Sequence, residues 1–229
     1  MKGIIWHLKG EYASFRPFYM SSLIDTYPFP PKTVIVGMIG AACGWNESDL
    51  VEHYDKIKVG IKIEHFDSIF NDLIKIWKVE DSGERKIFVV VKRFLYKPEF
   101  TIYIVTSEDL IDTIQKGLKD PVYPITLGDS DSLFYPEKNY FKVVNVVSIK
   151  SRYFKCLVNA EIIGGMHYPK EKIEEGRFRI DPKIVKMPVS FGEGRKVDIA
   201  NALIHSKGEV ELKEEVDAYE FEGEPIYLF

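Results

Sequence analysis

The chain has 229 residues, of which 45% are hydrophobic and 29% are charged, a balance typical of a folded protein and not of a disordered one. Its formal net charge of −4 argues mildly against nucleic-acid binding, because neutralising phosphates requires Lys and Arg. Residues 207–229 alone contribute −6 and leave +2 on residues 1–206, so a nucleic-acid site has to be a local basic patch.

The cysteines and the apolar runs indicate the compartment. Cys43 and Cys156 have no metal-ligand spacing and predict buried thiols in a reducing cytosol. The longest apolar run, residues 34–43, is shorter than the ~18 residues that a bilayer-spanning helix needs. The N-terminus is typical of a short strand and not of a signal peptide. We therefore expect a cytoplasmic protein with no membrane partner.

Hydrophobic periodicity divides the first 150 residues into strands and helices. Strands are predicted at residues 2–8, 57–66, 100–106 and 140–149, and helices at 31–44, 46–54 and 107–118. Pro31 suits the first turn of its helix and Gly44 suits the residue past its end. Ser107, followed by two acidic residues, suits an N-cap.

Residues 72–100 predict a long β-hairpin between the second and third of these strands. The arms, 73–79 and 86–94, flank a tip rich in turn residues. Residues 75–97 carry seven Lys or Arg against three acids, interleaved with aromatic side chains. The hairpin is therefore a candidate basic patch.

The element order is strand, helix, strand, hairpin, strand, helix, strand. This is the βαββαβ order of the split-βαβ, ferredoxin-like fold, which RNA-recognition (RRM-like) modules share. We predict an α+β protein with a ferredoxin-like domain over residues 1–150 and the hairpin as an insertion at about 72–100. Residues 151–229 are expected to form a small, mostly β extension, with strands at 153–163, 187–191, 198–205 and 209–212. Its acidic tail is expected to face solvent or a basic partner subunit.

Two stretches resemble a known family. KGEYASFRP at residues 9–17, followed by TYPFPPKT at 26–33 and a glycine-containing helix, is similar to the opening of CRISPR-associated Cas family five, of the RAMP superfamily. PVYP at 121–124 with LGDS at 127–130 resembles the family's glycine-bearing loop, and Gly128 alone carries that comparison. The resemblance covers about residues 1–150 and is greatest for the type I-B branch.

This resemblance implies a non-catalytic subunit of a type I Cascade complex in antiviral defence. Such a subunit binds the 5′ handle of CRISPR RNA and caps its 5′ end. Its hairpin, the family's thumb, reaches towards the Cascade backbone subunit. The Cascade large subunit docks nearby, so target DNA near the PAM is a further implied partner.

The residues expected to contact RNA combine cations, an aromatic ring and exposed backbone. Arginine pairs with phosphate, rings stack on bases, and a helix N-terminus or a glycine turn offers free N–H groups. The candidates are Phe15, Arg16, Lys32, Thr33, Lys75, Lys78, Lys92, Arg93, Gly128, Arg195 and Lys196. The structural alternatives are Phe15 in the core, a solvated hairpin, Thr33 as a cap and a plain β-turn at 192–196. On a regular ladder, at most one of Lys92 and Arg93 faces the RNA.

Two other functions stay open. In one branch of the family this subunit cuts repeat RNA without metal, which needs a general base near the 2′-hydroxyl. No histidine here lies beside a lysine as in that branch, so we predict no catalytic residue; the histidines are His7, His53, His65, His167 and His205. The other alternative is mainly a protein–protein scaffold, which the modest net charge favours. We expect no metal or cofactor, because zinc-like spacing and phosphate-binding glycine loops are absent from the sequence.

Overall fold

The computed structural model describes residues 1–19, 24–81, 83–167, 182–192, 196–205 and 208–229. The first elements in chain order are β1 (Lys2–Lys9), β2 (Tyr12–Ala13), α1 (Lys32–Cys43), α2 (Glu47–Tyr54), β3 (Lys58–His65), β4 (Ser68–Val79), β5 (Arg85–Tyr96), β6 (Glu99–Val105), α3 (Glu108–Lys119) and β7 (Phe141–Asn145). They are followed by β8 (Val147–Phe154), β9 (Val158–Asn159), a 3₁₀ turn (Ala160–Ile162), β10 (Ile163–His167), β11 (Lys183–Phe191), β12 (Val197–Ile204), β13 (Glu209–Phe221) and β14 (Glu224–Ile226).

The main sheet has the strand order β3-β6-β1-β7, and every neighbouring pair is antiparallel. β1 and β6 pair from Gly3↔Val105 to Lys9↔Glu99. α1 and α2 lie between β1 and β3 in the chain, and α3 lies between β6 and β7. The protein is therefore an α+β protein built mainly from antiparallel strands.

Alternation along β1 separates the two faces of the main sheet. Ile4, Trp6 and Leu8 belong to the large core that also contains the buried residues of α1 and α3. Ile5 points the other way and joins a second core with residues of the C-terminal strands. His7, on the same side as Ile5, is exposed. One face is thus covered by helices, and the other is covered only in part.

The helix ends follow local sequence signals with small differences. Pro31 is the N-cap of α1, one residue before the first turn in which it was predicted. Gly44 ends α1 in the left-handed region at φ 73°. Asn46 and Asp49 form a capping box at the start of α2. Ser107 is the N-cap of α3, although its side chain makes no capping hydrogen bond.

The described residues after position 147 form strands and one 3₁₀ turn. β13 lies between β10 and β14 and also pairs with β8, while β11, β12 and β9 form a separate sheet. Phe221 and Leu212 of β13 pack with Ile5 in the second core, and Met187 of β11 joins the first core. Residues on both sides of position 150 therefore share each core, and the division into 1–150 and 151–229 stays a prediction.

Two strand predictions in this region are wrong. The strand expected at 140–149 is two strands in different sheets, β7 and β8. The ladder breaks at the buried Val146, whose N–H donates to the Met1 carbonyl at 2.9 Å. The strand expected at about 153–163 is likewise divided among β8, β9 and the 3₁₀ turn. The apolar residues at 140–149 and 153–163 predicted extended chain in both segments. They did not predict that the chain passes from one sheet to another within each segment.

The acidic tail does not simply face solvent or a partner subunit, as its charge suggests. Its Glu224 pairs with Lys62 of β3 at 3.0 Å, and Glu222 pairs with Lys142 of β7 at 2.6 Å. The final residue, Phe229, exchanges two backbone hydrogen bonds with Val59. These carboxylates of the tail therefore neutralise cations of the chain's own main sheet.

β4 and β5 form a long hairpin, called the hairpin below. Its register is unbroken from Ser68↔Tyr96 to Val79↔Arg85, so it is longer than the predicted arms. β2 pairs only with the base of β5, at Tyr96 and Leu95. The rest of the ladder extends beyond that contact.

Gly128 holds a close backbone crossing at the base of the hairpin. Its φ of 90° lies in the left-handed region, and an added Cβ would overlap the carbonyl oxygen of Ser14. Gly83 at the hairpin tip has a similar φ of 80°, but an added Cβ there would meet open space. A comparison of alanine substitutions at the two glycines therefore separates the cost of the left-handed backbone from the cost of steric overlap.

We expect Gly128→Ala to lower the free energy of unfolding by about 1–3 kcal/mol more than Gly83→Ala does. Both variants carry the left-handed cost of about 1–2 kcal/mol, and only Gly128→Ala adds overpacking of about 1–3 kcal/mol. Urea unfolding of both variants measures the difference. Equal losses of stability would show that residues 127–130 move away from Ser14 without cost.

Candidate nucleic-acid interface

Several of the predicted RNA-contacting residues meet at the base of the hairpin. The Ser14 hydroxyl donates to the Arg93 carbonyl at 3.0 Å, and Gly128 lies against the Ser14 carbonyl. Phe15 forms an isolated bridge with Tyr27. The segment at 14–16, the loop at 127–130 and the end of β5 are thus brought together although they are distant in sequence.

Phe15 is a core residue. Its side chain is 0% exposed, and its ring centroid lies 5.9 Å from that of Phe100. The expectation that Phe15 stacks on an RNA base is therefore wrong, because no surface of the ring is accessible. Phe15 thus lies in the core, which is the structural alternative given for this residue.

Lys92 is also withdrawn from solvent. It is buried and forms an ion pair with Asp129 of the loop at 127–130. Its ammonium group lies 4.7 Å from the centroid of the Phe94 ring. Burial lowers the pKa of Lys92, while the nearby Asp131 opposes this. The expected phosphate contact by Lys92 is thus replaced by a structural pair that ties the loop to the hairpin.

Arg93 faces the other side of the ladder and keeps part of its surface. Its side chain is 42% exposed, and a guanidinium nitrogen lies 3.2 Å from the Asp25 carboxylate. A second guanidinium nitrogen donates to the Asn71 side chain at 3.2 Å. Arg16 is exposed as well. The opposite orientation of Lys92 and Arg93 leaves only Arg93 able to reach a ligand.

Asp25, which pairs with Arg93, lines a groove of about 360 Å³, called the basal groove below. Its walls include Pro17, which follows Arg16, and residues 183–186 of β11. Lys183 and Lys186 are both exposed there. The Tyr27 hydroxyl donates to the Lys186 carbonyl at 2.6 Å, and burial raises the pKa of Tyr27. Lys183 and Lys186 are three residues apart on a regular part of β11, so their side chains point to opposite faces and at most one ammonium group faces the groove. The groove thus combines one of these lysines with Arg93, which pairs with Asp25.

Lys183 and Lys186 were not predicted from the sequence. The expected strand began at Met187, whereas β11 begins at Lys183. The alternation of charged and apolar residues at 183–186 is the signal that could have extended the strand. Nothing in that pattern indicates the proximity to Arg93, which depends on tertiary packing.

Two exposed aromatic residues also lie beside Arg16. Tyr19 lines the basal groove and is 55% exposed, and the adjacent Phe18 is 40% exposed. Their ring centroids are 5.2 Å apart in an edge-to-face arrangement. Exposed rings beside cations are typical of surfaces that bind single-stranded nucleic acid. These rings, and not Phe15, are available for base stacking.

Lys32 and Thr33, at the start of α1, are both buried. Burial lowers the pKa of the Lys32 ammonium group, and the charges that act on it are those of Asp55 and Lys58. Neither residue contributes to the basal groove. Their expected RNA contact through the helix N-terminus therefore lacks an accessible surface.

Three of the remaining candidates, Lys75, Lys78 and Lys196, are exposed. Lys75 and Lys78 lie on opposite faces of the hairpin, and Lys78 is 5.9 Å from the centroid of the Phe88 ring. Lys196 is exposed just before β12, where its carbonyl accepts the Gly192 N–H at 2.8 Å. Arg195 lies outside the described residues. RNA contact by these side chains stays a prediction.

One face of the hairpin is apolar and exposed, and is called the apolar hairpin face below. Cross-strand neighbours on this face include Leu73↔Val91 and Trp77↔Ile87. Trp77 is 68% exposed and Ile87 54%. The apolar residues of the face are Leu73, Trp77, Val79, Ile87, Val89 and Val91, and it also carries Lys75 opposite Val89 and Arg85 opposite Val79. Exposed apolar surface bordered by polar side chains marks interaction sites.

Two further observations concern ligands and membranes. Within the described ranges, no three His, Cys, Asp or Glu side chains are grouped so that they could hold a metal ion. Among the helices of the described chain, none combines the length and the apolar character needed to cross a bilayer.

Comparison with known proteins identifies relatives of this fold. A family model described as "CRISPR-associated protein (Cas_Cas5)" matches residues 3–177. No curated protein sequence gives a significant match. A chain of a solved "CRISPR RNA-guided surveillance complex" is 16% identical with a TM-score of 0.62, and the match covers 92% of this chain and 91% of that one. A CRISPR protein from Archaeoglobus fulgidus is 13% identical with a TM-score of 0.56, over 99% of this chain and 98% of that one.

The two structural matches show a shared fold at low identity, and the family match extends over well more than half of the 229 residues. The segments that carried the resemblance in the sequence, 9–17, 26–33 and 121–130, all lie within the matched range. The chain therefore belongs to the CRISPR-associated Cas5 family.

Proposed function

We propose that this chain is a non-catalytic, RNA-binding subunit of a type I CRISPR complex, where it holds the 5′ handle of CRISPR RNA. The observation that carries the proposal is the basal groove, with Arg93, Lys183 and Lys186 around it and the exposed Tyr19 in its wall. Membership of the Cas5 family supports CRISPR RNA as the ligand. The similar chain in an RNA-guided surveillance complex supports assembly with other subunits.

The groove suits a single strand better than a duplex. Cations near its walls neutralise backbone phosphates, and exposed rings at its entrance stack on bases that are splayed out of a helix. Asp25 holds Arg93 in place without filling the groove. Because the chain's net charge is −4, these local cations supply the attraction and the overall field adds little.

The same proposal assigns the main sheet to a ferredoxin-like, RRM-like domain. Its strand order β3-β6-β1-β7, its antiparallel pairing and the two chain crossings by α1 and α3 support that assignment. In this assignment, the hairpin is the inserted thumb between the second and third strands of the domain.

The apolar hairpin face supports a protein partner as well as RNA. A two-stranded hairpin is at best marginally stable in water, and apolar side chains on its surface gain from being covered. We assign this face to the Cascade backbone subunit. Contact with the Cascade large subunit and with target DNA near the PAM, and a cytoplasmic location, belong to the same proposal.

Charge reversal in the basal groove tests the RNA site. Lys183→Glu combined with Lys186→Glu is expected to weaken binding of labelled single-stranded repeat RNA about tenfold or more. The slope of log affinity against log salt should also fall by about 0.7 for each phosphate that the variant no longer neutralises. Fluorescence anisotropy at several salt concentrations measures both quantities.

The matched control is Lys155→Glu combined with Lys213→Glu, two exposed lysines that do not line the groove, so the net charge changes by the same amount. It should leave the affinity within about twofold of wild type. An equal loss of affinity with the control variant would contradict a localised site. The RNA should also stay intact on a denaturing gel after incubation with the wild-type chain in EDTA, because the proposed subunit does not cleave RNA. Discrete cleavage would overturn the non-catalytic assignment.

Polar substitution on the apolar hairpin face tests the protein partner. Trp77→Ser with Ile87→Ser is expected to abolish co-purification with the backbone subunit and CRISPR RNA, since both side chains would lose apolar burial in the complex. The affinity of the isolated chain for RNA should stay unchanged.

The control is Ile76→Ser with Phe88→Ser, the next cross-strand pair, on the opposite face of the hairpin. These residues are 36% and 40% exposed, against 68% and 54% for Trp77 and Ile87, so the control removes less exposed apolar surface from the same part of the hairpin. Assembly by the Trp77/Ile87 variant, with failure of the control to assemble, would place the partner on the opposite face.

A further inference from the structure

A second cleft, of about 290 Å³, lies on the uncovered end of the main sheet. It shares no lining residue with the basal groove. Its floor is formed by His7 of β1 and Thr101 of β6. Both lie on the same face of the sheet as Ile5 and Tyr103, which the C-terminal strands cover. Residues 134–140 form a wall. The cleft is thus built from the part of the sheet face that the second core leaves open.

A hydrogen-bond chain fixes the orientation of His7. The Thr101 hydroxyl donates to the Glu64 carboxylate at 2.7 Å and lies 3.3 Å from Nδ1 of His7. A hydroxyl has a single proton, so the contact with His7 requires a proton on Nδ1. Nε2 of the neutral ring is then an acceptor in the exposed cleft. Thr101 is buried and acts here as a positioning residue.

The other polar groups of the cleft are mainly acceptors. The cleft contains the carboxylates of Glu64, Glu99 and Glu137. Lys9 lies between two of them, 3.0 Å from Glu99 and 3.2 Å from Glu137, and these carboxylates raise its pKa. Its charge is therefore satisfied within the protein. The exposed Lys138 and Asn139 also line the cleft, so three carboxylates there face two lysines, Lys9 and Lys138. The remaining excess of negative charge disfavours a phosphate and favours a ligand that donates hydrogen bonds.

An aromatic side chain completes the cleft. Tyr135 lines it and is 65% exposed, whereas the neighbouring Phe134 is buried against Trp6, with ring centroids 6.1 Å apart. An exposed ring beside hydrogen-bonding groups is the arrangement by which proteins hold unstacked bases of single-stranded RNA. The volume lies near the lower limit of ~300–1,000 Å³ for ligand pockets, which suits a single nucleoside.

We propose that this cleft binds one unstacked nucleobase with an exocyclic amino group, that is adenine, cytosine or guanine. The exocyclic amino group has two protons, one of which donates to a carboxylate of the cleft and the other to His7 Nε2, and Tyr135 covers the face of the base. Uracil has no amino group and leaves acceptors of the cleft unpaired. That the base belongs to an RNA strand rests on the proposed function, whereas recognition of the base itself does not.

Titration of the full-length, isotope-labelled chain with adenosine, cytidine, guanosine and uridine tests this site by NMR. Nucleosides carry no phosphate, so the result is independent of the basal groove. We expect saturable shifts of the His7 and Tyr135 ring signals with millimolar dissociation constants for at least one amino-bearing nucleoside. Uridine should bind about tenfold more weakly, which corresponds to ~1.4 kcal/mol.

Two variants keep the test specific. Tyr135→Ala removes only an exposed ring and should weaken all four nucleosides. Thr101→Val preserves side-chain shape, and it should both weaken binding and change the His7 tautomer, seen in long-range ¹H–¹⁵N spectra. Absence of any nucleoside-dependent shift at His7, or equal binding of uridine, would overturn the inference. Either result would leave the charge-reversal test of the basal groove unaffected.

Discussion

The buried ion pair between Lys92 and Asp129 holds together the surfaces on which the proposed function depends. It joins β5 of the hairpin to the loop at 127–130, and Gly128 in that loop lies directly against Ser14. Breaking a buried pair by removing one partner costs about 3–5 kcal/mol, because the other charge is left without compensation. Together with the β2–β5 ladder and the Ser14–Arg93 hydrogen bond, this pair positions the hairpin against the segment whose Pro17 lines the basal groove.

The two faces of the main sheet pack against different parts of the chain. The helices cover one face with the large core, and the C-terminal strands cover only part of the other. The acidic tail is part of this arrangement, since Glu224 of β14 forms an ion pair with Lys62 of β3 and so links the last strand to the main sheet. What stays open is a polar end with His7 and Thr101, next to the hairpin base. In the proposed function, a chain with negative net charge binds RNA at confined sites without a basic surface overall.

Periodicity and capping residues predicted the α+β class, the helices and the hairpin well, because those signals are local. For example, α1 begins after Pro31 and ends at Gly44, and α2 begins after Asn46. The change of sheet at Val146 was not predictable, since it depends on packing between distant strands. The resemblance at residues 9–17 and 26–33 indicated the family, which the match over residues 3–177 confirms.

The site was predicted less well than the fold. Sequence position alone gives no burial, so Phe15, Lys32 and Lys92 were taken as accessible although the fold buries them. Conversely, Lys183 and Lys186 belong to a strand that reaches the hairpin base only through tertiary structure. Arg16 and its neighbours Phe18 and Tyr19 are exposed beside the basal groove, and RNA contact there stays a prediction.

The most direct test of the account is photo-crosslinking of the wild-type chain to CRISPR RNA that carries 4-thiouridine in its 5′ handle, followed by peptide mass spectrometry. The account predicts crosslinks in the segment that contains Arg16, Phe18 and Tyr19 and in residues 183–186. Crosslinks confined to α3 or to the outer face of β13, with none at the basal groove, would contradict it.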